Sequence, residues 1–204
     1  MNLKELKWIC DAADMVGELK NKFPKIDRQY IKDIVEYYWE DDFTVEQNKE
    51  KYELLFNTIK PYYTDYLGLH EMFEKMSERK REQFLKSYLS GYDNCRIYSY
   101  WLDKYVVIKQ GNHCSIDETA HWAKLSGKSV LAAMEMKAVI ETAEYYKREK
   151  CHSKTQINRF DVPTDKKNIY LFKCTQLKTV DAVKLTICKS RTGRYYEYCI
   201  TAYR

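Results

Sequence analysis

The segment VKLTICKSRTGRYYEYCITAYR, residues 183–204, carries the residue types and spacing with the most chemistry in them. Thr192-Gly193 reads as a two-residue hairpin turn, with Arg191 opposite Arg194. Pairing outward from that turn sets Ile187 against Tyr198, Leu185 against Ile200 and Val183 against Ala202, one continuous apolar face. The other face then holds Lys184 opposite Thr201, Thr186 opposite Cys199 and Cys188 opposite Glu197. Tyr195, Tyr203, Arg191 and Arg194 stand at its two ends. In the preceding strand, NIYLFKCTQ, Lys173 and Thr175 alternate away from Tyr170, Phe172 and Cys174 and join this side. Cations that bind phosphate, hydroxyls that bond oxygen and rings that stack on bases suit a phosphodiester ligand.

These residues need a sheet, and the second half of the chain supplies one. NCRIYSYWLDKYVVIKQGNH has β-branched and aromatic residues on both sides of Leu102-Asp103 and predicts a strand pair. Ser115 and Glu118 form a capping box that opens a helix through His121 and Trp122. Ser126-Gly127 interrupts it, and SVLAAMEMKAVIETAEYYKREK follows as a long helix that covers the apolar face of the hairpin. The strand at NIYLFKCTQ and the two strands of 183–204 make an antiparallel meander.

The first ninety residues read as helices. Leu3, Leu6, Ile9 or Cys10, Ala13 and Val16 recur at helical spacing until Pro24 stops the pattern. Asp27 caps the next helix, Thr44 and Gln47 form a capping box for a third that Pro61 ends, and two shorter helices run up to Gly91. The prediction is an α+β protein. A helical, bundle-like domain over residues 1–92, a scaffold or a partner-binding element, precedes an α+β domain over 93–204. In the latter, helices pack on a small antiparallel sheet ending in the hairpin.

The formal net charge of +5 is unevenly spread. Residues 1–93 hold 15 Lys/Arg against 19 Asp/Glu, and residues 94–204 hold 20 against 11, which marks the second half for a polyanion and leaves the acidic half for a protein partner. The seven cysteines are scattered without a Cys-x-x-Cys pair and predict reduced thiols. His113-Cys114 and Cys151-His152 form a two-His, two-Cys set, but adjacent ligands rarely share one tetrahedral zinc, so no metal is expected. Nor is a cofactor: the chain has no phosphate-binding or dinucleotide-binding glycine loop, no His-Glu-x-x-His and no Gly-x-Ser-x-Gly. Without a long apolar run or a signal-peptide core at its N-terminus, the chain is expected in the cytoplasm and away from membranes.

A long helix followed by an antiparallel meander, with a final strand reading CITAYR, resembles the barnase/EndoU/colicin/RelE-like group of small ribonucleases, in the versions carried by phages and other mobile elements. The resemblance covers residues 94–204, and Thr201 and Tyr203 carry its closest local match. It implies metal-independent RNA cleavage, by attack of the 2′-OH on the adjacent phosphorus to leave a 2′,3′-cyclic phosphate. On that reading His113 or His121 is the base or acid and Lys184 stabilises the phosphorane. Thr201 and Tyr203 orient the phosphate. Lys173, Arg191 and Arg194 hold the backbone and Tyr195 stacks a base. The expected function is a metal-independent endoribonuclease of a toxin system or mobile element. The alternative is a non-enzymatic anti-defence protein of the anti-CRISPR kind, using the same basic surface to grip a nucleoprotein. A helix-rich interaction domain without nucleic acid stands third.

Overall fold

A computed structural model describes residues 3–111, 115–150, 166–172, 182–189 and 193–202. The chain divides into two compact units, Met1–Gly68 and Leu69–Arg204. The division assigns the neutral stretch 69–93 to the second unit, and the charge asymmetry survives it: 10 Lys/Arg against 14 Asp/Glu in the first unit, 25 against 16 in the second.

The first unit is built from α1 (Leu3–Lys22), α2 (Arg28–Tyr37) and α3 (Val45–Ile59), the last continued by a 3-10 turn at Lys60–Tyr62. Local chemistry sets each boundary. Asp27 accepts from the backbone N–H groups of Gln29 and Tyr30, satisfying donors that α2 leaves open. Thr44 and Gln47 make the reciprocal capping box that starts α3. Met15, Leu19 and Phe23, then Ile31 and Val35, then Tyr52, Leu55, Phe56 and Ile59 meet in a buried core. The Phe23 and Phe56 rings lie 5.6 Å apart, and the Tyr52 hydroxyl donates to the Val35 carbonyl at 2.9 Å.

The second unit opens with α4 (Leu69–Glu74) and α5 (Glu78–Tyr88), the latter capped by Ser77. β1 (Arg96–Ser99) and β2 (Lys104–Val107) follow as the expected antiparallel pair, joined through Asp103 in a left-handed conformation that Asp tolerates. Next come α6 (Ser115–Ala123), α7 (Gly127–Met134) and α8 (Met136–Thr142). Among the described residues four strands follow: β3 (Glu144–Lys150), β4 (Lys166–Phe172), β5 (Val183–Lys189) and β6 (Tyr195–Ala202). They join one six-stranded sheet in the order β1-β2-β6-β5-β4-β3. The α+β class, the leading helices and the C-terminal hairpin are the observed architecture. The sheet is mixed, because β2 runs parallel to β6 while the other pairings are antiparallel.

The helix expected over SVLAAMEMKAVIETAEYYKREK is not continuous. Glu135 leaves helical geometry and separates α7 from α8, and Ala143 turns extended. Residues 144–150 then pair with β4 as the edge strand β3.

Ser126 caps α7, and the adjacent glycine is required by packing rather than by backbone freedom. A Cβ at Gly127 would lie 2.2 Å from the His70 carbonyl oxygen of α4. Ser115 is the first residue of α6. The Ser115 hydroxyl accepts from the Lys109 N–H and donates to the Glu197 carbonyl, tying β6 to the start of α6.

One face of the sheet, hereafter the inner face, packs on these helices. Val183, Leu185, Ile187 and Ile200 meet Ile116, Ala120, Val130, Val139 and Ile140 there, all fully buried.

Candidate nucleic-acid interface

The hairpin register holds only in part. Val183, Lys184, Leu185 and Thr186 face Ala202, Thr201, Ile200 and Cys199, as the turn and the apolar alternation predict. A bulge then inserts Tyr198, so that Ile187 faces Glu197, Cys188 faces Tyr196 and Lys189 faces Tyr195. The expected pairs Ile187–Tyr198 and Cys188–Glu197 are therefore displaced by one residue. The slip turns Glu197 away from the polar face and into the helix layer.

There Glu197 is fully buried, and its Oε1 accepts from the Thr119 hydroxyl at 2.8 Å. The same hydroxyl accepts from the Ile200 N–H at 3.2 Å. Burial pushes the Glu197 carboxyl up to about 8. Hydrogen bonds from Thr119 and Ser115 oppose that shift, and nearby Glu118 adds to it. Near neutral pH this side chain is a neutral acid inside the core. Glu118 accepts from the Tyr198 hydroxyl and from the Trp122 indole N–H, so the inner polar cluster is knitted between α6 and β6.

Near β2 the second face of the sheet is not the open polar surface that the sequence pattern predicts, whereas Lys184 and Thr201, farther along it, are half-buried. Thr186, Cys188, Tyr196 and Cys199 are buried on this face, and Val107 packs against the cluster that Cys188, Tyr196 and Cys199 form with the bulged Tyr198, whose hydroxyl reaches α6. Tyrosine rings and thiols fill this face where solvated threonines and a glutamate were expected.

Toward β1 the same face opens into a cleft of about 450 Å³. It is lined by Asn94, Arg96, Lys104, Tyr105, Val107, Lys109, Gly193, Arg194, Tyr195 and Tyr196. Four of these are cations, and among the described residues no carboxylate lines the cleft. The parallel pairing of β2 with β6 assembles the site, setting Val106 beside Tyr195 and Val107 beside Tyr196. Antiparallel pairing brings Arg96 opposite Val107 from the edge strand. Gly193 sits at φ 84°, left-handed geometry that favours glycine, and leads the chain into Arg194. The Lys109 ammonium stands 6.0 Å from the Tyr196 ring centre, and Lys189 stands 5.4 Å from that of Tyr195, both within cation–π range. Two carboxylates near the cleft are engaged by backbone: Asp93 accepts from Gln110 N–H and Asp117 from Gly111 N–H, and Asp117 also pairs with Lys86.

The residues singled out from sequence fall into three places. Arg194 and Tyr195 line the cleft. Lys184 and Thr201 face each other across β5 and β6, five residues farther along β5 than the Lys189–Tyr195 pair, or roughly 17 Å at the usual strand rise. His121 is exposed on α6, two positions from Thr119 and therefore turned away from the sheet. Its Nδ1 lies 3.3 Å from the Lys124 ammonium, which pairs with Glu82 at 2.7 Å. His121 does not meet Lys184 and Thr201, because α6 and the sheet separate them. His113, Lys173, Arg191 and Tyr203 lie outside the described residues, as does the His113-Cys114 and Cys151-His152 set.

Sequence reasoning missed Arg96, Lys104, Tyr105 and Lys109. The signal was present in RIYSYWLDKYVVIK, where basic and aromatic residues interleave. Among the described residues no helix is long and apolar enough to cross a membrane. No protein-family model, curated protein or solved structure matches this chain.

Proposed function

We propose that this protein binds RNA through the cleft between β2 and the start of β6, and that it acts by binding rather than by cutting. The observation that carries the reading is the lining itself: Arg96, Lys104, Lys109 and Arg194 converge with three tyrosines and, among the described residues, without a carboxylate. Cations of that density neutralise phosphates and release their counterions, which is the main source of affinity for a nucleic-acid backbone. The Asn94 amide and the tyrosine hydroxyls supply partners for base edges and the 2′-OH. The net positive charge of the second unit gives the approach of a polyanion the right sign.

Cleavage by the route the ribonuclease resemblance implies needs a general base beside the bound phosphate. Among the described residues no histidine lines the cleft, and Lys184 and Thr201 stand away from it. Incubating labelled RNA with the protein in EDTA reads both activities at once. Retention of intact RNA, weakened by Arg194→Ala, supports the binding reading. Appearance of a 2′,3′-cyclic phosphate end, lost in Lys184→Ala, would replace it with the ribonuclease reading.

A further inference from the structure

We propose that the aromatic end of the β1–β2 hairpin is a base-stacking platform, and that the ligand of the cleft is single-stranded. This rests on the RNA-binding reading and names the form of RNA. Tyr100, Trp101 and Tyr105 are 69%, 50% and 60% exposed, a concentration of large rings in water within one short hairpin. They are not loosely disposed. The Tyr98 ring meets Tyr100 at 5.5 Å and Tyr105 at 5.3 Å, both edge-on, and the Tyr98 hydroxyl donates to Asp103 in the turn. Three tyrosines are thereby held as one array, with Trp101 next in the chain.

Tyr105 links this array to the cleft, because it lines the cleft while packing on Tyr98. Lys104 beside it is one of the four cleft cations. A strand whose phosphates lie among Arg96, Lys104 and Arg194 thus has exposed rings beside it for its bases. A duplex hides the faces of its bases, so such rings reward only unpaired nucleotides. Every base has a π-face, so the platform confers preference for strand form more than for sequence.

The test compares a labelled single-stranded RNA of about twelve nucleotides with the same strand annealed into a duplex. Wild type is expected to bind the single strand at least about tenfold more tightly, with quenching of tryptophan fluorescence. In the Tyr100→Ala, Trp101→Ala double variant the selectivity collapses to within about twofold. Trp101→Phe keeps the selectivity and loses most of the quenching, which separates stacking from a folding defect. Equal affinity of wild type for both forms, or selectivity retained in the double variant, overturns the platform. If Lys104→Ala, Arg194→Ala still abolishes binding in that case, the RNA-binding reading stands without it. If wild type binds neither form, the RNA-binding reading fails and the platform falls with it.

Discussion

The Thr119 hydroxyl donates to Oε1 of Glu197 at 2.8 Å, joining the middle of α6 to β6 within a fully buried cluster. The second carboxyl oxygen, Oε2, is buried and has no hydrogen-bond partner among the described residues. An ionised carboxylate there would be strongly disfavoured, so the fold holds Glu197 as a neutral acid.

This makes stability fall with pH. The folded-state carboxyl titrates at about 8, against 4.5 for an ordinary glutamate. Between those values the folded chain keeps a proton that the unfolded chain has lost, so rising pH favours unfolding across that window. Glu197→Gln keeps the acceptor for Thr119 and removes the ionisation. The variant is expected to be more stable than wild type at pH 8 and to lose this part of the decline from pH 4.5 upward. Urea unfolding at several pH values measures both. A Gln variant with the wild-type pH slope would refute the assignment.

Gly127 should not tolerate alanine. With its Cβ 2.2 Å from the His70 carbonyl, α4 and α7 must move apart, and backbone cannot give way as a flexible side chain does. Overpacking of this kind costs about 1–3 kcal/mol, read as a lower thermal midpoint. A midpoint equal to wild type would show that the helices have room to spare.

The Thr44 capping box predicts a smaller loss. Thr44→Ala removes the acceptor for the Gln47 N–H at 3.1 Å, while the Gln47 side chain can still accept from the backbone of residue 44. The cost is about 1 kcal/mol, confined to the helical first unit. Hydrogen exchange should quicken in the first turn of α3 and leave the amides of β5 and β6 protected.

These features differ in how plainly the sequence announces them. Pro24, Asp27, Thr44, Gln47 and Ser77 act within a few residues of themselves, so the helices of residues 1–88 can be read from local spacing. The β1–β2 pair is legible for the same reason, and the half of the β5–β6 hairpin far from the turn follows from its apolar alternation. The bulge at Tyr198 is not. What favours it is Thr119 and Ser115, about eighty residues away, which receive Glu197 on the inner face. Residues 144–150 fit a helical pattern until β4 is available to pair with them. The cleft depends on the parallel meeting of β2 and β6, across roughly ninety residues of chain that no local periodicity encodes. Arg194 and Tyr195 were legible because they stand beside the turn. Arg96, Lys104 and Lys109 became part of the same site only through that pairing.

The account turns on the cleft cations, and salt dependence of RNA binding tests them most directly. Fluorescence anisotropy with labelled single-stranded RNA, run from about 50 to 200 mM salt, yields both affinity and the slope of log K against log salt. Arg194→Ala is expected to weaken binding and to shrink the slope by about 0.7. Replacing Arg96, Lys104, Lys109 and Arg194 together is expected to shrink it by about 3 and to bring binding near background. Wild-type affinity and slope in the fourfold variant, or no RNA binding by the wild-type protein, would contradict the account.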